Sequence, residues 1–210
     1  MKNLSKIVEI LDQLFPNPPC PLIYHDPFTL LIATILSAQS RDDRVNKITT
    51  ILFKKASSPI DFIKIPLEEL EKIIKALGIY KKKAKAIKET SKILIENYNS
   101  QVPDNFKDLE SLPNVGHKTA SVVMSQAFKK PAFPVDTHIN RCAKRWKLSS
   151  GLNVKKTEED LKKLLPKNTW YKRHLQIIYY ARKYCPAKGH NIQNCPICNY
   201  LKKVANRSPI

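Results

Sequence analysis

Leu112-Pro113-Asn114-Val115-Gly116-His117-Lys118-Thr119-Ala120 is the stretch whose reading decides the fold. Proline and glycine punctuate it into a helix end, a tight turn and the start of a new helix, with a lysine on the first turn of the second helix. A helix–hairpin–helix of this kind aims backbone N–H groups and a helix N-terminus at one anion. Gly116 lets a phosphate approach with no Cβ in the way. Asn114, at the first turn position, is of the non-glycine type most tolerant of positive φ. The plainer reading of the same residues is an ordinary αα-turn closed by glycine.

On both sides of the hairpin the chain reads as helix. Leu4, Ile7, Val8, Leu11, Leu14 and Phe15 repeat at helical spacing and stop before Pro16. Residues 28–38 are apolar almost all round, which predicts a buried helix. Further helices are expected at 43–54, 67–77, 82–98, 115–128, 137–146, 157–165 and 174–183. No stretch alternates as a strand does, so the expected class is all-α. The four glycines (Gly78, Gly116, Gly151 and Gly189) all fall between these segments. Residues 16–19 read as a linker, and 127–134, with two prolines and no periodicity, as the main interior one.

Charge narrows the partner. Lys+Arg number 37 against 18 Asp+Glu, a formal +19 with a sequence pI of 9.8. Such an excess suits a polyanion, because a basic surface gains affinity by releasing counterions from phosphates. Single runs such as Lys81-Lys82-Lys83 and Lys155-Lys156 read as solvated helix faces. No apolar run nears the roughly 18 residues of a membrane span, and the N-terminus does not read as a signal peptide. The expected setting is cytoplasmic and nucleoid-associated, and the expected state a monomer.

Two side chains carry chemistry beyond binding. Lys118 reads either as a phosphate contact or as an amine that attacks an electrophilic sugar carbon to form a Schiff base. Asp136, eighteen positions later in Pro134-Val135-Asp136-Thr137-His138, reads as an N-cap for the next helix and as a rigidly held carboxylate.

The hairpin together with Val135-Asp136-Thr137-His138 resembles the helix–hairpin–helix DNA glycosylase superfamily, and within it the endonuclease III family. Two further segments, Leu36-Ser37-Ala38-Gln39-Ser40-Arg41-Asp42 and Leu77-Gly78-Ile79-Tyr80-Lys81-Lys82-Lys83-Ala84, resemble other parts of that family in the same order. The resemblance implies a two-domain helical enzyme with DNA in the cleft between domains. One domain would span 21–130 and the other 1–20 plus 131–210. It implies a base-excision-repair N-glycosylase for oxidised pyrimidines with abasic-site β-lyase activity. Its partner would be duplex DNA carrying damaged bases or abasic sites. Lys118 would be the attacking amine, and Asp136 would stabilise charge on the sugar. Gln39 would fill the hole left by the flipped base and Ile79 would wedge from the other side. Asn114, Val115, Gly116, His117 and Thr119 would hold the DNA backbone. The alternatives are a monofunctional mismatch or adenine-type glycosylase and a non-catalytic helix–hairpin–helix binding module.

Cys185, Cys195 and Cys198 form C-x9-C-x2-C, a pattern that favours metal ligation over disulfides. The resemblance implies a [4Fe-4S] cluster on four cysteines, but no ligand type follows Cys198 through Val204. His190, inside the longer first spacing, is a possible fourth ligand. A substituted [4Fe-4S] cluster, zinc in a Cys3His set, and no metal remain open. Cys20 and Cys142 read as small buried hydrophobes.

Overall fold

The structure is a computed structural model that describes residues 2–206. The ends of the second expected domain, residue 1 and residues 207–210, lie outside the described residues. Twelve α-helices and one 3-10 turn at Lys167–Thr169 make up the described chain, with no strand among the described residues. The chain divides into two compact units, residues 20–132 and residues 1–19 with 133–210.

The inner unit holds α2 (Pro27–Ser37), α3 (Asp42–Lys55), α4 (Pro59–Lys64), α5 (Leu67–Ile74), α6 (Tyr80–Tyr98), α7 (Phe106–Ser111) and α8 (His117–Gln126). Its core is built around α2, on which every residue from Phe28 to Leu36 is buried. Asp26 starts that helix in a capping box with Thr29, the Thr29 N–H donating to Asp26 Oδ1 at 2.7 Å. Buried residues of α8, among them Ala120, Val123 and Met124, join the same core as Leu31 and Ile35.

The outer unit holds α1 (Lys2–Leu14), α9 (Thr137–Arg145), α10 (Val154–Leu164), α11 (Trp170–Lys183) and α12 (Pro196–Ala205). Its separate core gathers Ile7 and Leu11 of α1 with Ile139, Trp146, Ile178 and Tyr180. The Arg173 guanidinium fixes the N-terminal helix by a paired grip on Asp12, at 2.8 and 3.0 Å. That grip holds the Asp12 carboxyl well below the ordinary carboxylate range. Gln176 adds a bond to the Phe15 carbonyl at 2.8 Å. These buried polar partners on α11 tie the first helix to a segment more than a hundred residues away in sequence.

Three helices were not expected, α4, α7 and α12, and Lys83 differs from its expectation outright. It belongs to a run read as a solvated face, yet it is 1% exposed. Its ammonium donates to the Leu36 carbonyl at 2.9 Å and to Ser40 Oγ at 3.0 Å. The carbonyls of a last helical turn have no intrahelical donor, and Lys83 fills one from outside α2.

Candidate active site and metal centre

The hairpin forms where α7 ends and α8 begins. Leu112 is 2% exposed and Val115 5% exposed, and both enter the inner core, which pulls the turn tight against the helices. The left-handed residue of the turn is Asn114, at φ 59. Gly116 is extended (φ −90, ψ 175) and serves as the N-cap of α8 with no side chain capping the helix. A Cβ added at Gly116 would meet nothing within 4 Å. The space in front of this glycine is open to whatever approaches the helix N-terminus, where the first N–H groups point outward.

Not every residue of the hairpin faces that space. Val115 turns its side chain inward and its N–H donates to the Leu112 carbonyl at 3.1 Å, so it offers an anion neither group. His117 stacks on Phe106 at 5.3 Å between centroids and lies 2.7 Å from Glu110 through Nδ1. Lys118 stands exposed on the first turn of α8 and Thr119 is half-buried beside it. A groove of about 550 Å³ opens next to Asn114, lined by Lys82, Lys85 and Lys88 of α6 among others. Lys82 and Lys85 are exposed. Lys88 instead donates to the Phe62 and Ile65 carbonyls at 3.0 and 2.7 Å.

Gln39 and Ile79 are exposed and both adopt left-handed backbone, at φ 53 and φ 51. For a β-branched residue this conformation is a true outlier, and such strain persists only where the surroundings hold it. Ile79 is held as the N-cap of α6, its carbonyl accepting from the Lys83 N–H at 3.1 Å. Gln39 lies in the turn after α2 that Lys83 grips through Leu36 and Ser40. The Gln39 carbonyl also sits where a Cβ on Gly78 would meet it at 3.5 Å, so the two turns are neighbours. Asn114, Gln39 and Ile79 thus share one backbone feature, and only the asparagine betrays it by residue type.

Lys83 therefore positions the Gln39 turn, and its loss is measurable. Lys83→Met is expected to cost about 1–3 kcal/mol, since it leaves the buried Leu36 carbonyl without its donor. Burial also lowers the Lys83 ammonium from 10.5 to about 8. Between those two values the unfolded chain binds more protons than the folded one, so this residue makes the wild type more stable as pH rises. Denaturant titrations at pH 8 and pH 10 should show that rise in the wild type and lack it in Lys83→Met.

In the outer unit, Asp136 is the N-cap of α9, its Oδ1 accepting from the Ile139 N–H at 2.9 Å. The segment leading to it is pinned from below. His174, 3% exposed, donates through Nδ1 to the Pro134 carbonyl at 2.8 Å, and its ring meets Phe133 edge-on. His138 pairs with the Arg141 guanidinium at 3.1 Å. The half-buried Asp136 is thus a carboxylate whose rotamer the cap fixes.

The cysteines of the same unit gather where α11 ends and α12 begins, against α9. The ligand atoms of Cys185, His190, Cys195 and Cys198 lie within 4.8 Å of one another. Cys185 and Cys195 are 0% exposed, and His190 Nε2 is buried with no hydrogen-bond partner. Cys195 precedes Pro196 at the first position of α12, which explains that helix: the proline presets its start. Arg145 donates to Cys185 Sγ at 3.2 Å and to the Pro186 carbonyl at 2.7 Å. Hydrogen bonds from the thiols of Cys142, Cys195 and Cys198, with Arg145, hold Cys185 far below the ordinary thiol range. Cys142 is buried in the outer core, as expected, with its thiol beside Cys185. Cys20 is only partly buried.

Residues 32–167 match the HhH-GPD superfamily of base excision DNA repair proteins. The chain belongs to this superfamily. Endonuclease III of Bacillus subtilis is 41% identical over 99% of this chain and 96% of its own length. A solved non-covalent endonuclease III–DNA complex superposes with a TM-score of 0.90 at 39% identity, covering 98% of both chains. A trapped covalent endonuclease III–DNA intermediate gives 0.89 at 40% identity, covering 93% of this chain and 92% of that one. As a member of the HhH-GPD superfamily the chain carries its hairpin at residues 112–120, inside the matched span. No helix among the described residues is long and apolar enough to cross a membrane.

Proposed function

We infer that this chain excises oxidised pyrimidines from duplex DNA and then cleaves the strand at the resulting abasic site. The observation that carries the reading is Lys118. It is an exposed amine on the first turn of an uncapped helix, behind a turn open to a phosphate, in a chain similar over its whole length to endonuclease III.

Chemistry at a sugar carbon requires the base out of the stack, and a damaged base costs less to extrude. With the phosphate held at the α8 N-terminus, the Lys118 amine forms a bond to C1′ as the bond from C1′ to the base breaks. The departing base takes a proton. The ring opens to an iminium, a proton leaves C2′, and the 3′ phosphate departs by β-elimination. Asp136 stabilises the positive charge that develops on the sugar and assists the proton transfers. Gln39 and Ile79, presented on strained turns, fill and wedge the space left by the flipped base. Asn114, Gly116 and the first turn of α8 hold the backbone. His190 completes a metal-binding set with the three C-terminal cysteines. The chain acts as a monomer on the DNA of the cytoplasmic nucleoid.

Borohydride reduction tests this directly, because it converts the iminium into a stable amine linkage. Wild-type protein mixed with an oxidised-pyrimidine duplex and borohydride should give one protein–DNA adduct on a denaturing gel. A monofunctional mismatch or adenine-type glycosylase releases base without any adduct, and a binding module releases none. Either result would replace the bifunctional reading.

A further inference from the structure

The C-terminal ligand set does not have the dimensions of an iron–sulfur site. In a [4Fe-4S] cubane each thiolate sits on a different iron, outside the bridging sulfides, and neighbouring cysteine sulfurs stand roughly 6 Å apart. Here the four ligand atoms all lie within 4.8 Å of one another. Around one tetrahedral zinc the corresponding edges are about 3.8 Å between sulfurs and about 3.5 Å from sulfur to nitrogen, from bonds of about 2.3 and 2.0 Å. The set has to contract slightly for zinc. For a cubane it has to spread on every side, against packed neighbours.

Those neighbours are specific. Tyr180 Oη lies 3.3 Å from Cys195 Sγ while accepting the Ile197 N–H at 2.8 Å. Tyr180 is itself 0% exposed and meets Trp146 edge-on. Arg145 closes the Cys185 side. The fourth position supports the same conclusion. His190 Nε2 is a buried nitrogen without a partner, which an imidazole does not tolerate unless something binds it. Neutral imidazole beside three thiolates is a standard zinc donor set, whereas [4Fe-4S] clusters are held by thiolates. The helix after Cys198 supplies no other ligand through Val204.

We propose that Cys185, His190, Cys195 and Cys198 bind a single zinc ion in place of an iron–sulfur cluster. The zinc anchors the turn between α11 and α12, and Arg145 offsets the extra negative charge of the third thiolate. The site lies wholly in the outer unit, so its failure would leave the reading of Lys118 untouched.

The test starts from full-length wild-type protein purified without oxygen from cells given both iron and zinc. About one zinc per chain is expected, without acid-labile sulfide and without a broad visible band near 400 nm; zinc-edge absorption should show three sulfurs and one nitrogen. Iron and sulfide in equal amounts with that visible band would overturn the proposal, as would a protein without bound metal. His190→Ala should lose zinc to a colorimetric chelator at least about tenfold faster at unchanged far-UV helicity. Cys20→Ala, a free cysteine of the inner unit, should match the wild type. Zinc retained by His190→Ala as tightly as by wild type, or lost from Cys20→Ala instead, would also overturn it.

Discussion

Lys118→Gln is expected to form no borohydride-trapped adduct and to nick abasic-site duplex at least about a thousandfold more slowly than the wild type. Glutamine nearly matches lysine in length and is a comparable helix former, and position 118 is exposed, so the fold has no reason to respond. On the proposed mechanism, what disappears is the lone pair that bonds to C1′. Binding should fall only modestly, by the loss of one charge near the phosphates, and the salt dependence of binding should flatten by about one ion. Lys118→Arg separates charge from nucleophilicity. It should restore the salt slope and remain dead in trapping, because guanidinium stays protonated. Single-turnover assays that follow base release and strand cleavage separately give the measurement. An adduct of wild-type yield from Lys118→Gln would move the nucleophile to another amine.

The hairpin was legible in the sequence because each of its demands selects a residue type. Proline ends a helix, asparagine accepts the left-handed position, and glycine leaves the approach open. The helices were legible wherever apolar periodicity ran for ten residues or more, as in α1, α2 and α6. Two of the three that were missed, α4 and α7, are short, and both carried a signal all the same. Ser58 and Asp61 form a capping box around Pro59, and Asn105 caps α7 by accepting from the Asp108 N–H. Six residues are too few for periodicity, so only the capping pattern betrays such helices. Lys83 shows a different limit. It shares the face of Ile87, Thr90, Ser91 and Leu94, all buried, so helical spacing places it inward. The composition of its run argued otherwise, and here position on the face outweighs charge. The left-handed turns at Gln39 and Ile79 had no signal at all, since neither residue type prefers that backbone.

Asp136→Asn should lower turnover by about 10²–10⁴-fold while leaving the protein folded and able to bind DNA. The substitution discriminates well because Asp136 has two roles that asparagine divides. As the N-cap of α9 it needs only a side-chain oxygen to accept from the Ile139 N–H, and asparagine caps as well as aspartate. The helix-dipole contribution of the charge is worth at most about 1 kcal/mol at such a position. Stability should therefore change by no more than that, and duplex binding should hold or tighten, because removing a negative charge lessens repulsion of a polyanion. Asp136→Ala removes cap and charge together and should add about 1 kcal/mol of destabilisation to a similar loss of turnover. If the carboxylate mattered only as a cap, the asparagine variant would turn over at the wild-type rate and only alanine would be impaired. Denaturant titration beside single-turnover base release on both variants decides between a structural and a chemical aspartate.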